Sequence, residues 1–587
     1  MKQGTKGRVL AAALAGVGFG AAGVAHGQAV VRQAAGTPQQ LNPAEQTQAA
    51  TPRTRARDVF SGPAPADCLP ELRSSTVALK LDDVKILGLK GIPEAALRPA
   101  FEDMKGKTIT VGAVCEIADR VSSILFARGF LARVYVPQQQ FPSSGATVNV
   151  QVVEGHIVDV RYHGVGNVGP VQARIEGYLN HVRGTFNLDK IQRWLLLAND
   201  LPGMKVTAAL AHSTAPITNL EDASGALDLD ITIARRPEDV VAAVQNTSSN
   251  TLGPWSGIAR VDFNSFTSLG ERTTLIGYST IGSFEQEVVQ VLEQAHLGNS
   301  GLFVGAAFAY GRSAPGGDLA PLKLRGDSIV GSVEANYPLV RLRRAGLTLG
   351  GGMDFVSQKM DFPGGGVLSD DDLRVIWARA EGDMQQELLD TASGRITETT
   401  KLTVQLRKGI QGLGSSRAGQ SVLSRLEGKP DALLVRGEGD STLRYEPVGA
   451  LPGMALNVHV IGQYADKPLL AYEELAIGDL TVGRGYDPDA LSGDRVVAAE
   501  FKGEVGPFAF GRFFRAAPYA FYDIAYVSNL DTGSVNRTVR SIGVGGEFRL
   551  PYNLRADVYW AKPLDKTFAT ATARPPARVL AQIIFAY

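Results

Sequence analysis

From about position 237 onward, apolar and polar residues alternate in short segments separated by Gly, Pro, Asp and Ser. In one of these segments Leu402, Val404 and Leu406 alternate with lysine, threonine, glutamine and arginine residues. Alternation with a period of two puts successive side chains on opposite faces of a β-strand. The segments recur about every twenty residues and predict about sixteen strands, roughly eleven before Glu474 and five after Asp494.

The chain ends on one of its most apolar alternating segments, Arg578–Tyr587. One face of this segment carries Val579, Ala581, Ile583, Phe585 and Tyr587. An outer-membrane β-barrel often ends this way, because its last strand pairs with its first and leaves no open edge. A soluble β-sandwich would alternate in a similar way, but the length of the region and its aromatic end favour a transmembrane barrel over residues 237–587.

Ahead of the alternating region, predicted elements follow the order β-α-α-β-β twice. The first unit, residues 77–156, contains predicted strand Val84–Leu89, helices Pro93–Met104 and Val111–Arg128, and strands Phe130–Val136 and Ala146–Val153. The second, residues 157–236, contains predicted strand Ile157–His163, helices Val171–Val182 and Leu188–Leu201, and strands Val206–His212 and Ala226–Ile233. Two units of similar length and order indicate an internal repeat.

The N-terminal segment has the features of a secretory signal peptide. An uncharged apolar run, Val9–Ala25, follows Lys2, Lys6 and Arg8, and small residues flank the end of the run. This pattern predicts a signal peptide at residues 1–27 and therefore an exported protein. Residues 28–76 are rich in Ala, Gln, Pro and Thr and are predicted to be a linker with room for a short helix.

Composition narrows the class of protein further. The chain has 59 basic and 59 acidic residues, and this balance gives no support for nucleic-acid binding. Its mean hydropathy is close to zero, which argues against a bundle of membrane helices. Export permits a disulfide between the two cysteines, Cys68 and Cys115, although two separate buried thiols fit the sequence nearly as well.

No pattern in the sequence indicates catalysis, a metal site or a cofactor. Gly164–Gly169 matches GxGxxG, with Asp189 about twenty residues further on, but no run of βαβ units surrounds it and nucleotide binding is rejected. The histidines lack HExxH and HxH spacings, and His156 and His163 are predicted to be turn or surface residues. Two cysteines cannot form a cysteine-rich zinc site, and no GxSxG elbow occurs.

One long loop between predicted strands stands out. It contains GDLTVGRGYDP at Gly478–Pro488, and Ser-Gly-Asp follows at positions 492–494. Arg484 lies between Gly483 and Gly485, so its guanidinium is carried on backbone that can fold tightly. The loop is interpreted either as a polar surface loop or as one that folds into the lumen and presents Arg484 to a carboxylate.

A candidate for that carboxylate is Asp523. In the segment Pro518–Val527 alternation places alanine, tyrosine and isoleucine on one face and puts Asp523 with Phe521 on the other. A charge on the lipid-facing side of a barrel is costly, so Asp523 is expected to point into the lumen. There it would meet either Arg484 or lumen water.

Taken together, these features resemble the two-partner secretion transporters, the hemolysin and filamentous-hemagglutinin secretion proteins of the outer-membrane assembly-factor superfamily. The resemblance covers about residues 77–587. It implies a β-class fold, a C-terminal sixteen-stranded antiparallel transmembrane barrel preceded by two α+β POTRA domains. The family's arginine motif, VRGY or VRGF, would correspond to Arg484, Gly485 and Tyr486, and its strand aspartate to Asp523. Gly483 departs from the motif, since it separates Val482 from the arginine and puts the packing of Val482 in question.

The resemblance also implies a function, which is export of a large β-helical partner, hemolysin- or hemagglutinin-like, from periplasm to cell surface. The transporter would be a monomer embedded in outer-membrane lipid, with its POTRA domains in the periplasm binding the partner by strand addition. It would use no cofactor or nucleotide. The alternatives are an outer-membrane assembly factor or barrel insertase, whose POTRA units are usually more numerous, a porin, which leaves the repeated units unexplained, and a soluble exported enzyme.

Overall fold

The computed structural model describes residues 66–587 apart from positions 90–91, 141, 143–144, 166–167, 184–187, 214–224, 283, 450, 479–481, 489–490, 512–513 and 568–572. The predicted signal peptide, most of the predicted linker and the middle of the GxGxxG match lie outside the described residues. A single helical turn, α1 (Pro70–Arg73), occurs at the end of the predicted linker.

The first α+β unit is a four-stranded sheet covered by one α-helix. Its elements are β1 (Ala78–Leu87), β2 (Thr108–Thr110), α2 (Ala113–Ala127), β3 (Ala132–Tyr135) and β4 (Ala146–Glu154). The strand order is β2-β1-β4-β3, with β1 parallel to β4. Val114, Ile117 and Val121 of α2 are fully buried against the sheet, as their helical spacing predicts.

The predicted helix Pro93–Met104 is wrong in type and extent. The structure has a 3₁₀-helix at Glu94–Ala100, with Pro99 inside it. Proline has no N–H to donate and its ring clashes with the preceding turn, so this segment cannot form a regular α-helix.

The second unit repeats the arrangement with three strands. It consists of β5 (His156–Val165), α3 (Gln172–Leu179), α4 (Leu188–Asn199), β6 (Met204–His212) and β7 (Ala226–Arg235), and short 3₁₀ turns lie on either side of α3. The sheet order is β5-β7-β6, with β5 parallel to β7. A separate apolar core fills the space between this sheet and its two helices.

A disulfide joins Cys68 to Cys115, which is fully buried on α2, with Cα atoms 6.0 Å apart. Because the bond closes a segment 47 residues long, it restricts the unfolded chain and is expected to stabilise the first unit by about 4 kcal/mol. We expect a Cys68→Ser, Cys115→Ala variant to lose this stability. Amide hydrogen exchange of β1 and β4 in the full-length protein measures it.

The same exchange experiment has an internal control. Reductant should accelerate exchange in the wild-type first unit and leave the double variant unchanged, because the variant has no bond to reduce. Equal protection of β1 in the oxidised wild type and in the variant would contradict a stabilising role for the disulfide.

The C-terminal region is a closed antiparallel barrel of sixteen long strands, as the alternation predicted. The first eleven are β8 (Glu238–Gln245), β9 (Ser256–Asn264), β10 (Arg272–Thr280), β11 (Gln286–His296), β12 (Phe303–Ser313), β13 (Arg325–Arg341), β14 (Ala345–Phe362), β15 (Gly366–Thr391), β16 (Gly394–Gly409), β17 (Leu433–Pro447) and β18 (Met454–Ala465). A two-stranded ribbon, β19 (Leu475–Ile477) and β20 (Leu491–Gly493), follows and does not join the sheet of the wall. The wall resumes with β21 (Arg495–Val505), the short β22 (Phe508–Phe510), β23 (Phe514–Ser528), β24 (Arg537–Arg549), β25 (Leu554–Pro563) and β26 (Arg578–Ala586).

The last strand closes the barrel against the first. Five residue pairs join β26 to β8, from Gln582 opposite Gln245 to Ala586 opposite Val241. The backbone N–H of Tyr587 donates to the carbonyl of Val240 at 2.8 Å, which extends the ladder to the last residue. Exposed leucine and valine side chains of β16 cover the outside of the wall, while the alternate positions of that strand face inward. In the part of the chain described, no helix has the length and apolarity to cross a membrane.

The second α+β unit lies against one end of the barrel, which we call the near end; the opposite end is the far end. Arg341 at the end of β13 is almost fully buried and holds Asp200 of the second unit through two hydrogen bonds of 2.6 and 2.7 Å. Ser265, in the β9–β10 turn, donates to the carbonyl of Pro202 at 2.6 Å. Because hairpin connections alternate between the two ends, the connections after β16, β18 and β23 lie at the far end.

Candidate functional site

The connection from β18 to β21 folds into the barrel from the far end; we call residues 466–494 the inner loop. Its ribbon, β19 and β20, brings the two arms of the loop together. Five of its apolar side chains pack against the inner faces of β21, β23 and β24, namely Leu475, Ile477, Val482, Tyr486 and Leu491. Burial of these side chains stabilises the inward position of the loop, which a polar surface loop would not adopt.

The two glycines beside Arg484 are required by the backbone. Gly483 has a φ of +80°, and a Cβ there would lie 2.7 Å from a methyl carbon of Ile477. A Cβ on Gly485 would lie 2.8 Å from the Cβ of Ser541 and 2.9 Å from the nitrogen of Pro563. Only glycine permits the positive φ and this close approach to the wall. Gly483, the residue that separates Val482 from the arginine of the motif, therefore forms the turn. Val482, which precedes it, is buried.

Arg484 and Asp523 meet inside the barrel. Arg484 Nη2 lies 3.1 Å from Asp523 Oδ1, and the side chains are 5% and 1% exposed. The backbone N–H groups of Gly483 and Arg484 donate to Asp523 Oδ2 at 3.1 and 3.0 Å, and the Ser541 hydroxyl donates to the same oxygen at 2.9 Å. The aspartate therefore holds both the side chain and the turn of the loop.

Two further groups complete the surroundings of Arg484. Glu500 on β21 lies 3.1 Å from Arg484 Nη2, directly across the strand pair from Asp523. The Arg484 guanidinium carbon lies 3.4 Å from the ring centroid of Phe521, a cation–π arrangement. The sequence analysis missed Glu500, because the pairing register that brings it beside Asp523 cannot be obtained from alternation alone.

The tip of the inner loop forms hydrogen bonds and ion pairs near the place where the last strand, β26, pairs with the first, β8. The hydroxyl of buried Tyr486 donates to the carbonyl of Arg540 at 2.9 Å. Asp487 accepts a 3.0 Å hydrogen bond from Asn250, in the connection after β8, and lies 3.3 Å from Arg578, at the start of β26. The loop thus contacts the connection next to the first strand as well as the last strand.

The first arm of the loop has its own ion pair. Arg407 on β16 donates to Glu473 through Nε at 2.9 Å and Nη2 at 2.8 Å, and Nη2 also reaches Asp354 of β14 at 2.8 Å. Arg407 and Glu473 are buried, so breaking the pair would leave a charge without its partner. This pair was also missed, since neither residue belongs to a recognisable motif.

Three side chains of types that can bind a metal ion lie close together near Arg484 and Glu500. Glu438, Asp440 and His459 lie on the inner faces of β17 and β18, with their ligand atoms within 4.8 Å of one another. His459 Nδ1 is 2.9 Å from Asp440 Oδ1, and the register places Lys401 opposite Asp440 on β16. The hydrogen bond and the facing lysine account for this group as part of the polar lumen wall.

Comparison with known proteins identifies the first unit and the fold. Residues 79–155 match the model of the ShlB-type POTRA domain. CdiB from Escherichia coli aligns over 96% of this chain and 99% of its own with a TM-score of 0.63 and 15% identity. CdiB from Acinetobacter baumannii aligns over 95% and 99% with a TM-score of 0.60 and 14% identity.

A third structure shares the fold more distantly. BamA from Haemophilus ducreyi lacking POTRA domains 1–3 aligns over 86% of this chain and all of its own, with a TM-score of 0.52 and 13% identity. A search of curated proteins gave no match. The chain therefore contains a ShlB-type POTRA domain and has the fold of the two CdiB structures.

Proposed function

We propose that this chain, with its ShlB-type POTRA domain and its CdiB-like fold, is an outer-membrane transporter of the two-partner secretion type. It recognises a large β-helical partner in the periplasm and passes it through the barrel to the cell surface. The observation that carries the proposal is the inner loop held by Arg484 and Asp523 within a closed barrel. The near end, where the α+β units lie, faces the periplasm, and the far end faces outward.

The second unit acts as a second POTRA domain. Its strands β5, β7 and β6 repeat the sheet order and the parallel pairing of β1, β4 and β3 in the first unit, and its hydrogen bonds to the near end of the barrel give it a fixed position at the pore entrance. Edge strands β5 and β6 have ten and nine residues, which is enough for an extended peptide to add to the sheet. The partner's N-terminal segment is the ligand for these edges.

Transport needs no nucleotide in this proposal. The partner enters as an extended chain and folds into its β-helix outside, where burial of its apolar surface prevents its return. The inner loop occupies the lumen beforehand, and Arg484 with Asp523 keeps the loop in one defined conformation. Gly483, Gly485 and Tyr486 fix the turn, and Phe521 stacks on the guanidinium.

A second candidate is an assembly factor that inserts other barrels into the outer membrane. The similarity to the BamA structure favours it at the level of the fold. The two candidates differ in the number of clients, because a secretion transporter serves one partner whereas an assembly factor serves many barrel proteins.

Deleting the gene in its native host tests both. We expect the surface and the culture medium to lose one very large β-helical protein while the other outer-membrane barrels keep their levels, as measured by quantitative proteomics. The intact protein should fractionate with the outer membrane and migrate differently on gels before and after boiling, because a closed barrel resists detergent. Re-expression of the wild-type gene is the control. Loss of many barrel proteins would favour the assembly factor, and recovery in the soluble fraction would contradict the barrel.

A further inference from the structure

The connection between β16 and β17, residues 410–432, folds back over the far end of the barrel; we call it the cap loop. Leu423 is buried in a cluster with Val356, Leu373 and Val375 of β14 and β15 and with Leu470 of the inner loop. The backbone N–H of Ser424 donates to Asp371 Oδ1 at 2.9 Å. The cap loop therefore packs on the inner wall and on the inner loop at once.

Arg425 follows at the centre of this contact and is fully buried. Its Nη1 donates to the carbonyl of Leu469 at 2.8 Å and lies 2.9 Å from Glu474 Oε1. Its Nη2 donates to Asp494 Oδ2 at 3.0 Å, and its Nε donates to Asp531 Oδ2 at 3.1 Å. One guanidinium thus joins both arms of the inner loop to the connection after β23.

The carboxylates that face Arg425 are themselves held in place by further hydrogen bonds and by burial. Asp494 also accepts hydrogen bonds from the backbone N–H groups of Leu469, at 2.8 Å, and Leu530, at 2.7 Å. Glu474 and Asp494 are almost completely buried. Without Arg425, three carboxylates would share a site screened from water, and their repulsion would separate the loops that carry them.

We propose that Arg425 is a positioning residue that latches three far-end loops together, and that this latch keeps the resting pore closed at its outer mouth. The loops connect wall strands from β16 to β24, and the cap loop also packs on β14 and β15, so the joined loops contact or connect half of the long barrel strands. Arg484 fixes the tip of the inner loop, whereas Arg425 fixes its two arms. Passage of a partner chain requires the Arg425 contacts to open.

Ion conductance through the purified full-length protein in planar lipid bilayers tests the latch, with potassium chloride as the probe. We expect Arg425→Ala to raise the fraction of time spent in the open state by about tenfold or more, because the loops lose their common ion-pair partner. Arg425→Lys retains the charge but cannot bridge the carboxylates in the planar geometry of a guanidinium, so its open fraction should lie between those of the alanine variant and the wild type.

Arg417→Ala is the matched control, since Arg417 is exposed on the same loop. It should conduct like the wild type. Heat-modifiable migration shows that each barrel has folded, a property that the latch does not affect. Should Arg425→Ala fail to fold, Asp531→Asn, which removes one partner at the more exposed edge of the cluster, should still raise the open fraction.

Equal open fractions for folded Arg425→Ala and Arg417→Ala would overturn the proposal, as would a wild-type pore that is already fully open. Because the current is carried by small ions without any partner protein, the result is independent of the proposed secretion function. A failed search for a secreted partner would leave the conductance result in place.

Discussion

A chain that lacks residues 77–236 is expected to insert as a barrel and to export none of its partner. The deleted segment contains both α+β units, which carry the sheet edges proposed for docking. The barrel strands begin at Glu238 and pair among themselves, so the wall keeps every strand-to-strand ladder. Secretion of the partner into the medium, measured by immunoblot, should fall to background.

Two controls separate docking from assembly. Heat-modifiable migration of the deleted protein should match that of a folded barrel. A shorter deletion of residues 79–155 removes only the ShlB-type POTRA domain and retains the second unit with its Arg341–Asp200 contact. It should also lose secretion if the first unit receives the partner. Normal secretion by the longer deletion would rule out the docking role.

Arg484→Ala and Asp523→Ala are each expected to reduce secretion by about tenfold or more. Both side chains are almost completely shielded from water, so removal of one leaves a buried charge, at a cost of about 3–5 kcal/mol. A loss of about 1.4 kcal/mol already lowers the equilibrium constant for docking of the loop tenfold. Immunoblots of secreted partner measure the effect.

The double variant distinguishes one shared interaction from two separate ones. It should be little worse than either single variant, because each substitution already breaks the Arg484–Asp523 ion pair. Asp523→Ala should be no milder than Arg484→Ala, because it leaves Glu500 3.1 Å from the guanidinium but removes the acceptor of the Gly483 and Arg484 backbone N–H groups. Arg395→Ala is the control, because Arg395 forms an exposed ion pair with Glu446 between β16 and β17. Strictly additive defects would mean that Arg484 and Asp523 act independently.

Strand alternation was sufficient to predict the barrel because its period depends only on neighbouring residues. In β23 it placed Asp523 and Phe521 on the inner face, where the structure has them buried. Helical spacing likewise predicted α2 and α4 to within two residues at each end. The prediction over Pro93–Met104 failed because it rested on a proline at the start of a helix, whereas Pro99 inside the segment forces a tighter turn.

The parts of the site that depend on distant pairing were not predictable from one sequence. Glu500 lies beside Asp523 only because β21 and β23 pair in one register, and a shift of one residue would turn it toward the lipid. Arg425 lies in a connection without periodicity, and its partners come from two other loops. The functional role of the Arg484 motif stays a prediction, although the structure brings its residues together.

The pairing of β26 with β8 has a consequence for biosynthesis. Val241 and Ala586 are more than half the chain apart, so the ladder cannot form until β26 has been synthesised. Until then every nascent chain has two unpaired strand edges, which favour aggregation. A truncated chain would not make a smaller barrel, because the strand that closes the wall would be missing. Closure of the wall therefore depends on having the full set of strands, from β8 to β26, in the same polypeptide.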